Sequence, residues 1–550
     1  MTSLWLDTHD PSRVPVSAMP AGISYDVAVA GAGLTGLATA VALARTGRRV
    51  IVLEARTVGA VATGNTTGKV SLLQSTRLSR IRRRTSLEAA AAYLAANRDG
   101  QNWLLELCAQ HDVPFQRRTA YSYASTDAGT AQLREELETA QELGLDLQWQ
   151  ETSELALPMA GAVALADQAQ FDAMDVLTAL ARELRGLGGV IVEGVRLTGA
   201  SRRGPLRLST TGGEVRADRL VLATGSPVLD RGGHSLRMVP QRSYALAYRV
   251  PEHRQVPSGM YISVDGPTRS IRSAPHGGEE LLLVGGNGHV TGRTDSHAAR
   301  IAELDEWALR LVPGAQRTHT WAAQDYESAS GLPLIGALPG SDGTILAATG
   351  YAKWGMTNAA AAALAMTGVI EGRTPVWFEV LRSAGGGFGA LAAEASMGAQ
   401  VGKELVQGWV GAELTQLPTG PSGPLQPAAP ARAVEPTDVP GADDPGADVT
   451  EADVPGADAT EADVTGAAAT PPEGRGVVGR WRGRPVGVST VEGRTCAVSG
   501  VCTHMGGVLR WNDAEPSWDC PLHGSRFAPD GGLLEGPAVK DLDRVPDSDT

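Results

Sequence analysis

Apolar residues fall in two rhythms along the first sixty positions of this 550-residue chain. "YDVAVAG" at 25–31 is a short unbroken apolar run, the mark of a strand buried on both faces. Residues 31–44 read as a turn and a helix, and "RRVIVLE" at 48–54 returns to a buried strand. Strand signals come back late. "GVIVEGVRLTGA" (189–200) predicts a strand pair, and "GEVRADRLVLATGSPV" (213–228) a hairpin strand ending at Ala223-Thr224-Gly225. "GTILAATGYAKWGMTNAAAAALA" (343–365) predicts a last strand running from Gly350 into a helix. Strands alternating with helices predict an α/β, Rossmann-like body. The segments 75–170 and 235–325 fall between these pieces and predict an inserted α+β part that binds substrate.

From about 413 the pattern stops. Up to Pro472 the sequence is Pro, Ala, Gly, Asp and Thr, with the imperfect repeat "GADDPGADVTEADVPGADATEADVTGAAAT". Such a stretch cannot bury enough apolar surface to offset its ordering entropy, so 413–474 is expected to be a disordered acidic linker. The division is therefore a body at 24–410, the linker, and a small all-β module at 475–550.

Charge changes this picture little. The eleven acids between Glu435 and Glu473 account for most of the net −13 and leave about −2 for everything else. No basic face for nucleic acid is implied. The N-terminus lacks a basic segment followed by an apolar one, and "TNAAAAALAMTGVIEG" (357–372) is too short and alanine-rich to span a bilayer. A cytoplasmic protein with no integral membrane segment is expected. With only four cysteines, a disulfide framework is not indicated.

Glycine spacing gives the first strand–helix junction its chemistry. Gly31-x-Gly33-x-x-Gly36 follows a strand and opens a helix. The first glycine makes the turn, the second admits a pyrophosphate to the backbone, and the third lets helix and strand pack. The pyrophosphate would meet the free N–H groups of the helix start. Glu54 ends the second strand 18 residues after Gly36, placed for ribose hydroxyls. By contrast "GFGALA" (387–392) follows no hydrophobic strand and reads as a plain helix start. A simple nicotinamide dehydrogenase has no need of the late return of strands to the first domain, which favours FAD over NAD.

This arrangement resembles the FAD-dependent oxidoreductases of the D-amino-acid-oxidase type, which include sarcosine, glycine and glycerophosphate oxidising flavoenzymes. The resemblance covers 24–410 and rests on "GAGLTGLATAVALARTG", "VLEAR", "GNTTGK" (64–69), "LVLATG" and "QDYESASGLPLIGAL…ILAATGYAKWGMTNA". It implies FAD, with Gly31, Gly33, Gly36, Glu54 and Arg56 around the ADP half and Val195 near adenine. It places Thr63–Lys69 near the flavin and Gly350 to Thr357, Met356 among them, near its pyrimidine edge. Gly225, which closes "LVLATG", joins the cofactor-binding set. Covalent members carry a histidine or cysteine that is missing here from 54–75 and 346–360, so the FAD is expected to be noncovalent.

The densest signal lies at the other end: Cys502-x-His504-x15-Cys520-x2-His523. Two thiolates and two imidazoles suit either one zinc ion or a Rieske [2Fe–2S] centre, with two cysteines on one iron and two histidines on the other. The stretch "CTHMGGVLRWNDAEPSWDCPLHGSRFAPDGGLLEGPAVKDL" resembles Rieske domains across the whole module, which selects the cluster. In that family, high-potential members join the two loops by a disulfide and bond a tyrosine to a ligand sulfur. Gly507, Leu522 and Phe527 stand at those places, while the serine is kept as Ser525. Fewer hydrogen bonds to sulfur predict a potential below the respiratory type. Cys108 is expected in the core and Cys496 in a buried strand. No H-x4-H pair with a downstream carboxylate appears, which argues against a ring-hydroxylating dioxygenase.

A flavin converts two-electron into one-electron chemistry, and a cluster carries single electrons. The reading is an FAD-dependent oxidoreductase that oxidises a small substrate, by resemblance at an amine or amino-acid C–N bond, with a one-electron redox partner protein downstream. Two alternatives stay open: a cluster that feeds the flavin, and a cluster that only senses redox state or stabilises the fold. No motif names the catalytic residues. Lys353 and Trp354 follow the flavin-side glycine, and Arg242, Tyr244 and Trp321 lie in the inserted part.

Overall fold

The computed structural model describes residues 1–155, 157–202, 205–229, 237–385, 401–412 and 470–545. The expected helix start at 387–392 and nearly all of the expected linker lie outside these residues.

The apolar run at 24–30 becomes the central strand Ser24–Ala30. It pairs in parallel with Val50–Leu53 on one side and Gly213–Leu222 on the other. Val190–Val192 extends the sheet beyond Val50–Leu53, and Ile345–Thr349 extends it beyond Gly213–Leu222. Leu334–Ala337 and the hairpin Leu197–Ala200/Leu206–Thr210 complete it. Continuous burial on both faces explains the lack of alternation in these strands. Helices Leu34–Arg45, Ala173–Gly186 and Gly355–Glu371 cover one face, with Leu37, Val41, Leu177 and Ala360 in the shared core.

A second sheet is built from 69–70, 115–171 and 238–328. It runs Gln316–Ser328, Met238–Arg249, Glu279–Val290, Arg269–His276, Met260–Ser263, Phe115–Ala124, Gly161–Phe171 and Lys69–Val70, with Gln148–Gln150 beside Gly161–Phe171. Helix Leu87–Gln110 carries Cys108 into the core, where burial pushes its thiol up to about 12.

The C-terminal module has two small antiparallel sheets: Gly476–Trp481, Arg484–Val491 and Arg494–Ser499; then Arg510–Asn512, Ser517–Asp519, Arg526–Phe527 and Leu533–Glu535. Trp518, Phe527, Val498 and Leu542 form its core, joined by Val401 from the helical residues 401–412. Cys496 lies in a strand as expected but is only half-buried. No described helix is long and apolar enough to cross a membrane.

Candidate flavin and cluster sites

A cavity of about 540 Å³ opens where the two sheets of the body meet. Gly31, Gly33, Glu54, Arg56, Gly225, Gly350 and Met356 line it, with Thr63, Lys69, Gln324, Tyr326, Lys353 and Trp354. Two helices begin at its wall, Leu34–Arg45 and Gly355–Glu371; neither is capped by the side chain of its own N-cap residue, and the Leu34 N–H donates to Thr63 Oγ1 (3.1 Å). Four helices elsewhere are capped by Ser86, Thr126, Asp172 and Ser296, while Arg77–Arg84 and Val376–Ala384 are not capped in this way. Uncapped N–H groups facing a cavity suit negative groups, a pyrophosphate at one end and a reduced flavin ring at the other. Gly31 sits at φ +101°, and a Cβ there would overlap the Ala223 carbonyl. A Cβ on Gly36 would overlap the Gly31 carbonyl oxygen, so the third glycine serves packing, away from the cavity.

The Glu54 carboxylate accepts from the N–H groups of Ala32 (2.8 Å) and Arg56 (2.8 Å). Burial outweighs these bonds and raises its pKa. Two expected positions fall elsewhere. The Val195 N–H is donated to the Glu54 carbonyl (2.9 Å), and the next residues, Arg196 and Leu197, line the cavity instead. Thr357 points into a buried polar network, donating to Asn97 Oδ1 (2.6 Å) and accepting from Gln74 Nε2 (3.1 Å). A strand-end count cannot foresee which N–H groups are already used in pairing.

Two lysines line the cavity, Lys69 half-buried and Lys353 exposed at its surface. Lys69 Nζ donates to the Tyr261 carbonyl (3.2 Å) and to Ser270 Oγ. Burial, with Arg272 nearby, brings its pKa down to about 7. Lys353 sits at φ +71° after Ala352 at φ +51°. Its backbone N–H donates to the Asp325 carboxylate. Two successive left-handed non-glycine residues cost on the order of 1–3 kcal/mol each and persist where the surroundings over-determine them. The strain aims the Lys353 ammonium into the space that a side chain at Gly288 would take. Burial lowers the Lys353 pKa. Of the motif-free residues, Trp321 and Tyr244 line the cavity and Arg242 does not.

The two loops of the Cys/His motif repeat each other bond for bond. Gly506 N–H donates to the Cys502 carbonyl (3.1 Å) and Gly524 N–H to the Cys520 carbonyl (3.1 Å). Cys502 N–H donates to Gly507 (2.8 Å) and Cys520 N–H to Ser525 (2.8 Å). Gly506 and Gly524 both turn at positive φ, +74° and +79°. The Cys502 and Cys520 sulfurs hydrogen-bond each other, and Ser525 bonds Cys502. The His504 and His523 rings meet edge-on, centroids 5.2 Å apart. Nowhere among the described residues do three or more His, Cys, Asp or Glu side chains gather as they would on one ion. Sulfurs paired with sulfurs and imidazoles with imidazoles suit a two-iron cluster and not a single tetrahedral zinc.

The module is seated on the body. Arg242, a buried residue of the second sheet, donates from Nε to Glu515 (2.9 Å). Arg526 pairs with Asp519 (3.0 Å), Glu515 (3.5 Å) and Glu535 (3.8 Å). Burial pushes the Glu515 carboxyl up, but Arg526 and Arg242 outweigh it and hold it below the usual range. Asp513 accepts from Ser296 Oγ (2.8 Å) and from the N–H groups of His297 (2.8 Å) and Ala298 (3.1 Å), placing an anion at the start of helix His297–Leu311. Leu534, Glu535 and Gly536 of the module line the same cavity as the glycine-rich turn. Sequence reading had no signal for that contact.

Residues 26–368 match the FAD dependent oxidoreductase (DAO) family. The chain belongs to that family. Residues 460–546 match the Rieske [2Fe-2S] domain. Its cofactors are therefore FAD and a [2Fe–2S] cluster, and the cavity and the paired loops fit them. The chain is 28% identical over 98% of its length, and 97% of the relative's, to YhfW of Bacillus subtilis (strain 168), named as a Rieske 2Fe-2S iron-sulfur protein. Over 12% of its length it is 39% identical to 40% of the cytochrome b6-f complex iron-sulfur subunit 3 of a Nostoc species. Among solved structures, glycine oxidase from Geobacillus kaustophilus superposes with TM-score 0.55 at 23% identity, covering 64% of this chain and 96% of that one. L-amino acid deaminase from Proteus vulgaris does so at 0.55 and 13% identity, covering 68% and 99%. At these identities the likeness shows the fold that the family shares.

Proposed function

We propose that this FAD oxidoreductase oxidises the C–N bond of a small amino acid or amine, and that its electrons leave singly through the Rieske cluster. FAD, held noncovalently by the glycine turn, Glu54 and Arg56, supplies hydride acceptance, and the cluster held by Cys502, His504, Cys520 and His523 supplies one-electron transfer. The observation that carries the reading is the shared cavity: Leu534–Gly536 of the Rieske module line the same space as the dinucleotide turn. A cluster that only stabilised its own fold would have no need to stand there.

The substrate class is supported by the lysines. Lys353 and Lys69 are cations in a part of the cavity floored by Gly285, Gly286 and Gly288, which leave room above the sheet. A carboxylate there is desolvated and paired with a cation, which orients the rest of a small substrate. Trp321 keeps the wall apolar beside them, its Nε1 donated to Asn65 O (2.9 Å).

Anaerobic titration with glycine, L-proline and other small amino acids should bleach the flavin absorbance for at least one of them. Because the Lys69 ammonium is lost as pH rises through about 7, carboxylate binding should weaken above that pH. Lys69→Met should bind the same ligand weakly and without that dependence. Amines and amino acids that leave the flavin oxidised, with another substrate class bleaching it, would refute the C–N reading.

A further inference from the structure

Loop 520–525 is pressed onto the wall of the flavin cavity. Gln324 is a cavity-lining side chain only 2% exposed. Its Nε2 donates to the Gly524 carbonyl (2.8 Å) and to Tyr326 OH (3.0 Å), and its Oε1 accepts from Thr291 Oγ1 (2.8 Å). Gly524 follows the ligand His523, which is buried at 3% exposure. One side chain therefore separates the cavity from a cluster ligand's neighbour.

The seat beneath is tight. Arg293 Nε donates to the Pro521 carbonyl (2.9 Å). Gly292 stands at φ +68°, and a Cβ there would lie 2.9 Å from Pro521 N, 3.0 Å from its Cα and 3.1 Å from the Cys520 carbonyl carbon. These are backbone atoms of the cluster loop, which cannot rotate away as a side-chain tip would. A glycine in the body is thus the position that lets the loop sit down. At the far end, Arg196 Nη2 donates to the Leu533 carbonyl (3.1 Å).

We propose that the Rieske module is a fixed wall of the flavin cavity, seated through Gly292, and that the Gln324–Gly524 contact is the crossing for single electrons between flavin and cluster. This rests on the reading that the two cofactors exchange electrons. At each crossing the flavin side gives up one electron and one ferric iron becomes ferrous; no bond is made or broken between them. An external one-electron oxidant takes each electron from the cluster. Two crossings clear a two-electron reduction, and the flavin's proton goes to solvent. Gln324 acts as a positioning residue.

The test uses full-length protein carrying both cofactors, with the flavin reduced by light and EDTA so that no substrate is needed. In Gly292→Leu, the rhombic EPR signal and the iron and sulfide content should persist. Hydrogen exchange should rise across 520–536, and cluster reduction by the flavin should slow by about tenfold or more, because a small misplacement is amplified in a positioned transfer. Should Gly292→Leu accommodate its side chain, Glu515→Arg sets a third arginine against Arg242 and Arg526 and should displace the module in the same way. Gln324→Leu, which keeps the seat but removes the bridging bonds, should slow the crossing with no change in exchange. Wild-type rates in a variant whose module is displaced by the exchange measure would overturn the proposal. Free exchange of 520–536 in the unmodified protein would do so too. If no electron crosses in the unmodified protein, the functional reading itself fails, whatever the variants do.

Discussion

The two cluster loops share one backbone design and live in opposite surroundings. Loop 502–507 and loop 520–525 make the same pair of hydrogen bonds and the same glycine turn. Yet Pro521, Leu522 and His523 are buried, whereas Thr503 is exposed and Met505 is 48% exposed. Loop 520–525 is seated on Pro240, Gly292 and Gln324 of the body. Loop 502–507 meets the helical residues 401–412, where Trp409 Nε1 donates to the Gly506 carbonyl (3.2 Å), and Thr503 Oγ1 donates to the Lys540 carbonyl (2.8 Å). Ligation needs the repeat, and the seat on the body needs the difference. His523 is buried beside the cavity-lining Gln324, and His504 is only half-buried.

The largest effect treats the loops as equal. His504→Ala and His523→Ala should each abolish the rhombic EPR signal and the acid-labile sulfide, since either leaves one iron a ligand short. Flavin should stay bound in both. Retention of a normal cluster in either variant would show that the four residues are not one ligand set, and zinc without iron in the unmodified protein would remove the cluster altogether.

A smaller effect separates the loops. Gly506→Ala and Gly524→Ala carry the same backbone penalty for positive φ, on the order of 1 kcal/mol. A Cβ on Gly506 meets nothing within 4 Å, whereas one on Gly524 would lie 2.6 Å from Pro240 Cβ and 2.9 Å from Gln324 Nε2. Thermal unfolding should therefore show a modest loss for Gly506→Ala and a larger one for Gly524→Ala. Only the second should open 534–536 to hydrogen exchange. Equal losses with no change in exchange would mean that the seat adds nothing.

What could be read from the sequence follows the same division. The glycine turn with Glu54, and the Cys/His spacing, are each written within about thirty residues, because one turn or one pair of loops must present all the groups. The seat is written across the chain: Gln324 to Gly524, Arg293 to Pro521, Arg242 to Glu515. Each pairs an ordinary polar side chain with a backbone carbonyl or a carboxylate, and its meaning appears only when sheets and module are folded. Glu535 and Gly536 look like module surface in sequence and are cavity wall in the structure. Val195 lies off the cavity wall with its N–H donated to the Glu54 carbonyl, while its neighbours Arg196 and Leu197 line the cavity.

The smallest effect tests the chemistry around sulfur. Phe527 is fully buried in the module core at the place where high-potential Rieske domains are read as carrying a tyrosine. Ser525 keeps its place, bonding Cys502 and accepting from the Ala538 N–H (3.0 Å). Each hydrogen bond to a cluster sulfur favours the reduced, more negative state, so one bond fewer lowers the potential. The unmodified protein should lie in the lower part of the span of about −150 to +300 mV known for Rieske centres. Phe527→Tyr should raise it by tens of millivolts, a shift of about 30 mV per 0.7 kcal/mol for a one-electron couple. Ser525→Ala should lower it. Because Ser525 ends loop 520–525 and Phe527 follows it in the strand Arg526–Phe527, the potential should move while the exposure of loop 502–507 to exchange does not. An unchanged midpoint in Phe527→Tyr, with the hydroxyl seen to reach the Cys520 side of the cluster, would show that solvent exposure of the His504 side sets the potential instead.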